Sequence, residues 1–195
     1  MLVNETDPRW CYTEIPRTGS TTIDRGLRKT FPAAKAPFAK HWPVVPLAGY
    51  ISLVSIRNPY SRAVSCWSFF TQPGVSFSDW LRRVETNGFC DIDIEARPQS
   101  YWYRLAEWDY VIRQESLDSD LWQALQSFAS EFDIPTQFRR LNDSNDGWRN
   151  RVGVCKGRSR PWQAYYDLEC VALVRKLYAE DFDALAAFYS TQFPE

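Results

Sequence analysis

Two short stretches of this 195-residue chain carry the residue types that bind and transfer anionic groups. The first is Ile15-Pro16-Arg17-Thr18-Gly19-Ser20-Thr21-Thr22. It holds four hydroxyls, one glycine where the chain must turn sharply, and one fixed positive charge. Apolar and aromatic residues from Trp10 to Ile15 precede it, and Ile23, Leu27 and Phe31 follow at helical spacing. That order predicts strand, tight loop, helix. N–H groups and the helix dipole converge on such a loop, which makes it an anion site suited to phosphate or sulfate. Gly-Lys-Ser/Thr, which the Walker loop requires, does not occur, so a magnesium-dependent nucleoside triphosphatase is disfavoured.

The second stretch is Arg57-Asn58-Pro59-Tyr60-Ser61-Arg62-Ala63-Val64-Ser65. Tyr50 to Ile56 reads as a strand, Asn58 as a helix N-cap and Pro59 as the first helical residue. Arg57 then stands at the strand's carboxyl end. Arg62 and Ser65, three apart, share one helix face. A guanidinium and a hydroxyl in that position suit a phosphate monoester, which arginine grips with parallel hydrogen bonds.

The elements that must position these groups follow from periodicity. Strands are predicted at 9–16, 50–56 and 109–113. Helices are predicted at 20–31, from Pro59 to about 72, at 77–86, after a cap at Ser116 or Asp118 (Leu121, Leu125, Phe128, Phe132), and at 164–189. Residues 32–47, 87–100 and 135–161 read as loops, the last polar, basic and long enough to be functional. Strands alternating with helices predict an α/β fold: a P-loop-like three-layer α/β/α arrangement on a mainly parallel sheet, with 1–195 as a single domain. Ligands of such sheets sit beyond the strands' carboxyl ends, which places Arg17 and Arg57 at one rim.

Composition narrows the partners. With 23 basic and 24 acidic residues the formal net charge is −1, so no global attraction to nucleic acid is expected. Basic residues cluster locally instead, notably at 139–160, which suits a small anionic ligand. Five cysteines without close-spaced pairs and a single histidine argue against a metal site. No signal-like or membrane-spanning stretch occurs, and a cytoplasmic protein without a membrane segment is expected.

In combination, Pro-Arg-Thr-Gly-Ser-Thr-Thr and a strand ending in Arg-Asn-Pro-x-x-Arg-x-x-Ser resemble the sulfotransferases that use 3′-phosphoadenosine 5′-phosphosulfate (PAPS). The likeness is to the carbohydrate-acting, family-2-like branch. Arg97-Pro98-Gln99-Ser100, Tyr110 to Leu117, Leu141-Asn142-Asp143-Ser144, Cys155 to Pro161 and Tyr178-Ala179-Glu180-Asp181-Phe182 continue the resemblance in family order. It implies sulfuryl transfer from PAPS to an acceptor hydroxyl or amine, leaving 3′,5′-ADP, without a metal. Arg17, Thr18, Gly19, Ser20, Thr21 and Thr22 would hold the 5′-phosphosulfate, and Arg57 and Ser65 the 3′-phosphate. Lys156, Gly157 and Arg158 would add to the nucleotide clamp. The family usually carries lysine where Arg17 stands. Arginine keeps its proton at ordinary pH, so Arg17 would stabilise the departing oxygen by charge and hydrogen bonds.

An alcohol acceptor needs a base. The resemblance points to His41, which precedes the Arg-Asn-Pro strand; Glu14, Glu95 and Glu115 are the competing carboxylates. Tyr101, Trp102, Tyr103, Trp42 and Trp162 could form an aromatic platform for a glycan or small phenol, or pack in the core. Arg97 and Arg104 could meet an acidic glycan. The expected partner is a small-molecule or glycan acceptor. A P-loop-type nucleotide kinase and an inert nucleotide-binding module on the same scaffold are the alternatives.

Overall fold

The structure is a computed structural model and describes residues 1–38, 43–72, 74–89, 94–138 and 160–194. In chain order the elements are β1 (Leu2–Asn4), β2 (Trp10–Thr13), α1 (Ser20–Thr30), β3 (Ile51–Ile56), α2 (Pro59–Phe70), α3 (Phe77–Asn87), α4 (Ser100–Tyr103), β4 (Tyr110–Arg113), α5 (Leu117–Phe128), α6 (Leu168–Leu177) and α7 (Ala179–Ala184). Short 3-10 turns lie at Ile94–Ala96, Gln114–Ser116 and Trp162–Tyr165. The sheet order is β1-β2-β3-β4. β2, β3 and β4 run parallel, and β1 pairs antiparallel with β2. This is the α/β fold with a mainly parallel sheet that the alternating pattern predicts.

The chain divides into two compact units, Met1–Arg57 with Tyr101–Leu141, and Asn58–Ser100 with Asn142–Glu195. The first unit contains the sheet. Side chains alternate across a strand. Trp10 and Tyr12 of β2, Leu53 of β3 and Ile112 of β4 therefore share a core with Ile23 and Leu27 of α1 and Leu117, Leu121 and Leu125 of α5. Cys11, one position out of phase, joins Met1 and Val3 in a separate cluster against Val44, Leu47 and Tyr50. Phe138 closes the helical side. Its ring lies so close to Gly26 that a Cβ there would sit 2.5 Å from Phe138 Cδ1, and its N–H donates to Asp118 Oδ1 at 2.9 Å. Burial of a phenylalanine of this kind is worth about 1.5–3 kcal/mol, and the glycine, unfavourable in mid-helix by about 1 kcal/mol, makes room for it.

In the second unit α2 begins as its sequence dictates. The Asn58 side chain accepts from the N–H groups of Tyr60 (3.0 Å) and Ser61 (3.4 Å), with Pro59 as first helical residue. Tyr60, Phe77, Trp80, Tyr178 and Phe182 form the aromatic part of its core. The predicted long helix at 164–189 is not continuous. Asp167 accepts from the Cys170 N–H and starts α6 at Leu168; at Tyr178 the backbone leaves helical geometry (φ −112°, ψ 25°) before α7. Leu168 is 91 % exposed, being the first residue after that cap.

Candidate active site

The site is built on the carboxyl ends of β2, β3 and β4, all within the first unit. β2 ends at Thr13 and the candidate loop, Ile15 to Thr22, follows. Pro16 and then a positive φ at Arg17 (66°) give the order of a type II turn, whose second central residue is ordinarily glycine. Arginine in the left-handed region carries a penalty of about 1–2 kcal/mol. Something must hold it there, and the neighbouring residue does. The Thr18 hydroxyl donates back to the Ile15 carbonyl at 2.8 Å, closing the turn through a side chain.

Gly19 follows, also left-handed at φ 88°. It is the N-cap of α1, with no side-chain capping bond, although the sequence offers several hydroxyls. The sign of φ thus alternates from Arg17 to the start of α1, the pattern that turns successive N–H groups toward a common anion. The N–H groups of Thr22 and Ile23 fold back onto the Gly19 carbonyl at 2.9 and 3.2 Å. The first turn of α1 contains no acidic residue, so nothing there opposes the positive end of the helix dipole. Ser20 and Thr22 are buried and Thr21 is half-buried. Glycine is required at 19 twice over: by its φ, and because a Cβ would lie 2.9 Å from Leu117 Cδ1 at the start of α5.

Arg57 leaves the end of β3 and is 8 % exposed. Its Nη1 donates to the Arg17 carbonyl oxygen at 3.3 Å. The two arginines that the sequence assigned to one rim are therefore in contact, and the second fixes the peptide of the first. β4 supplies the third edge. After Ile112 and Arg113 the chain turns through Gln114–Ser116, placing Gln114 Cγ 3.4 Å from where a Gly19 Cβ would stand. Arg113 makes a two-pronged ion pair with Asp120 (2.8 and 2.9 Å), and Ser116 donates to the same carboxylate at 2.9 Å. Burial alone would raise the Asp120 pKa, but these bonds outweigh it and hold it below the ordinary carboxylate range.

The loop is also tied to the sheet from beneath. The Thr18 and Ser55 hydroxyl oxygens are 2.6 Å apart, and Ser55 and the Tyr12 hydroxyl 2.7 Å apart; all three residues are fully buried. The sequence resemblance makes Thr18 an anion ligand. Its hydroxyl proton is committed to Ile15, so what Thr18 can offer an anion is its backbone N–H. Tyr12 and Ser55 belong to no motif; the signal the sequence offers is a pair of serines, Ser52 and Ser55, in the otherwise apolar run of β3.

Ser65 lies in α2, in the second unit, buried. Arg62, expected to grip phosphate together with Ser65, is used inside the protein instead. It is fully buried and donates to the backbone carbonyls of Arg97 (2.9 Å) and Glu95 (3.1 Å). Its guanidinium braces the 95–100 segment, as do Tyr178, which donates to the Ala96 carbonyl at 2.9 Å, and Asp181, whose Oδ1 accepts from the Ser100 N–H at 2.7 Å. Burial holds the Asp181 pKa above the ordinary carboxylate value, against the pull of Arg62 and the Ser100 and Gln99 N–H groups. The Tyr178-to-Phe182 motif thus has a structural role.

Matched against known protein families, the chain fits the description "Sulfotransferase family" over residues 1–186. The chain belongs to the sulfotransferase family. The family-2 description covers the Arg17-to-Thr22 loop, the Arg57 strand end and the Tyr178-to-Phe182 brace alike. No curated protein and no solved structure matches this sulfotransferase.

Of the competing carboxylates in this sulfotransferase, Glu14 is buried beside the loop (5 % exposed) and 3.9 Å from the Met1 amino group, while Glu115 is exposed. The backbone carbonyl of Glu95 is held by Arg62 in the second unit. Among the aromatics, Trp102 is buried, Trp162 packs on Tyr166 and Phe193, and Tyr101 is 47 % exposed. His41, Trp42, Lys156, Gly157, Arg158 and Leu141 to Ser144 lie outside the described residues. Among the described residues no group of His, Cys, Asp and Glu could hold a metal ion, and no helix is long and apolar enough to cross a membrane.

Proposed function

We propose that this sulfotransferase takes its sulfuryl group from PAPS and passes it to an acceptor hydroxyl, of a carbohydrate or other small molecule. The observation that carries this reading is the contact between Arg57 and the Arg17 carbonyl beside a loop of alternating backbone sign. A bisphosphorylated nucleotide needs positive charge at two separated points. The loop from Arg17 to Thr22 suits the 5′-phosphosulfate, and Arg57 at the neighbouring strand end suits the 3′-phosphate; the family resemblance adds Ser65, Lys156, Gly157 and Arg158 as candidates for holding the nucleotide. The donor set fits the group, since it consists of N–H groups, hydroxyls and guanidinium cations, and the first turn of α1 holds no carboxylate.

Transfer then proceeds in line. The acceptor oxygen attacks sulfur, and the bond from sulfur to the bridging oxygen breaks. The bridging oxygen leaves on the 5′-phosphate of 3′,5′-ADP, and the acceptor's proton passes to the base, assigned to His41. Charge accumulates on the bridging oxygen as the bond breaks, and preorganised donors aimed at that atom are the largest source of rate in such transfers. Arg17 and the loop N–H groups ahead of Thr22 would supply them. A sulfuryl group carries less charge than a phosphoryl group, which lets side chains do this without a metal.

The test is labelled-sulfate transfer from PAPS across glycans, phenols and lipids, in the presence of chelator, with His41→Ala alongside. The reading requires labelled product from at least one hydroxyl acceptor and loss of turnover in His41→Ala with 3′,5′-ADP binding retained. Unchanged turnover in that variant would reassign the base to a carboxylate.

A further inference from the structure

The geometry points to Tyr12, Ser55 and Thr18 as a directed hydrogen-bond chain whose task is to hold Arg17 in its left-handed conformation; this makes Tyr12 and Ser55 positioning residues for sulfuryl transfer. The inference rests on the proposed role of the loop and goes further by assigning residues that no motif contains.

The direction of the chain is fixed by counting protons. A carbonyl only accepts, so in the bond between Thr18 and Ile15 the threonine must donate. A hydroxyl has one proton. Thr18 therefore accepts from Ser55 across 2.6 Å, and Ser55 in turn accepts from Tyr12 across 2.7 Å. Three protons occupy three bonds, all in one sense: Tyr12 to Ser55 to Thr18 to the Ile15 carbonyl. The chain begins on β2, crosses to β3 and ends in the loop, so it transmits the position of two central strands to the turn. Burial of Tyr12 pushes its phenol well above the ordinary range, which keeps the first donor protonated.

The turn needs this support. Arg17 is the one non-glycine residue with positive φ among the described residues. Its peptide is held on one side by the Thr18 hydroxyl closing onto Ile15, and on the other by Arg57 on its carbonyl. Without the Thr18 bond the turn can relax toward negative φ, which would swing the Arg17 side chain away from the bridging oxygen. Misplacement of such a group by about 1 Å is worth on the order of 100-fold in rate.

Directionality gives the inference a signature that ordinary packing lacks. Removing Tyr12's hydroxyl takes away the first donor and leaves no stranded proton. Removing Ser55's hydroxyl strands the buried Tyr12 proton, and a buried unpaired donor is worse than a missing bond. Tyr12→Phe should therefore lower stability in the wild-type background and raise it in a Ser55→Ala background.

The experiment measures unfolding midpoints, Kd for 3′,5′-ADP, and kcat and KM for PAPS with the full chain. Variants are Tyr12→Phe, Ser55→Ala, the double variant, Thr18→Val and Thr18→Ser. The expected result is a fall in kcat of about 10- to 100-fold for Thr18→Val, a smaller fall for Ser55→Ala, the smallest for Tyr12→Phe, and recovery of most of the loss by Thr18→Ser. KM for PAPS should move less than kcat. If Thr18→Val does not fold, Ser55→Ala and the stability sign reversal carry the test. Equal kcat in wild type and folded Ser55→Ala, or Tyr12→Phe destabilising in both backgrounds, would overturn the chain while leaving PAPS use intact. A wild-type protein that binds no 3′,5′-ADP would instead remove the proposed function, and the positioning role with it.

Discussion

Replacing Gly19 by alanine tests the construction of the loop at its tightest point. Two terms act. The left-handed backbone at φ 88° penalises any Cβ by about 1–2 kcal/mol. The new methyl would also stand 2.9 Å from Leu117 Cδ1, inside the roughly 3.5–4.0 Å at which carbon atoms attract. Leu117 is fully buried at the start of α5 and has no solvent to move into, and overpacking of this kind costs about 1–3 kcal/mol. The sum is about 2–5 kcal/mol. Gly49 supplies the control, because it has a similar φ of 76° and nothing within 4 Å of its would-be Cβ. Gly49→Ala should lose only the backbone term, about 1–2 kcal/mol. Urea unfolding followed by tryptophan fluorescence gives both values. Adding Leu117→Ala should relieve part of the Gly19→Ala loss, so the double variant should be more stable than the sum of the singles by about 1 kcal/mol or more. Equal losses at 19 and 49, or simple additivity with Leu117→Ala, would refute the claim that α5 closes directly on the loop.

Further outcomes follow from the half-buried Asp120, the buried Asp181 and the brace. Asp120 has a folded pKa below its unfolded value, so its stabilisation is present above pH 3.8 and is lost as pH falls through the lowered folded value; Asp120→Asn should flatten the acid limb of a stability–pH curve. Asp181 has the opposite sign. Its folded pKa is raised, so its contribution is most favourable below pH 3.8 and is lost as pH rises through the folded value. Asp181→Asn should therefore raise stability at neutral pH relative to acid pH and steepen the acid limb that Asp120→Asn flattens. Asp181→Ala should be worse than Asp181→Asn by about 1–3 kcal/mol, because it leaves the buried Ser100 N–H without its acceptor. Tyr178→Phe should cost about 1 kcal/mol in an unfolding titration through loss of its bond to Ala96.

What the sequence could reveal was set by how local the physics is. Asn58-Pro59 specified the start of α2 because a cap and a fixed φ act within three residues. The rim shared by Arg17 and Arg57 was legible because parallel strands put consecutive carboxyl ends on one side. The three-residue β1 was missed, being too short to show a period. Arg62 misled because charge suggests a ligand, whereas its partners, the carbonyls of Arg97 and Glu95, carry no sequence signal. Tyr12 and Ser55 lie 43 positions apart and meet only once β2 and β3 are paired. The break at Tyr178 was hidden by an apolar stripe that stays in phase on both sides of it.

The most direct measurement is calorimetric titration of 3′,5′-ADP into the metal-free protein, beside 5′-AMP, ATP, and the Arg57→Ala variant. Loss of a charged hydrogen-bonding group from a phosphate site is worth about 1.5–3 kcal/mol, or roughly 10- to 150-fold in Kd. The predicted result is saturable binding of 3′,5′-ADP without magnesium, weaker binding of 5′-AMP and ATP, and a Kd raised by that factor in Arg57→Ala. Binding of ATP that exceeds that of 3′,5′-ADP and depends on magnesium, or no heat from 3′,5′-ADP at all, would contradict it.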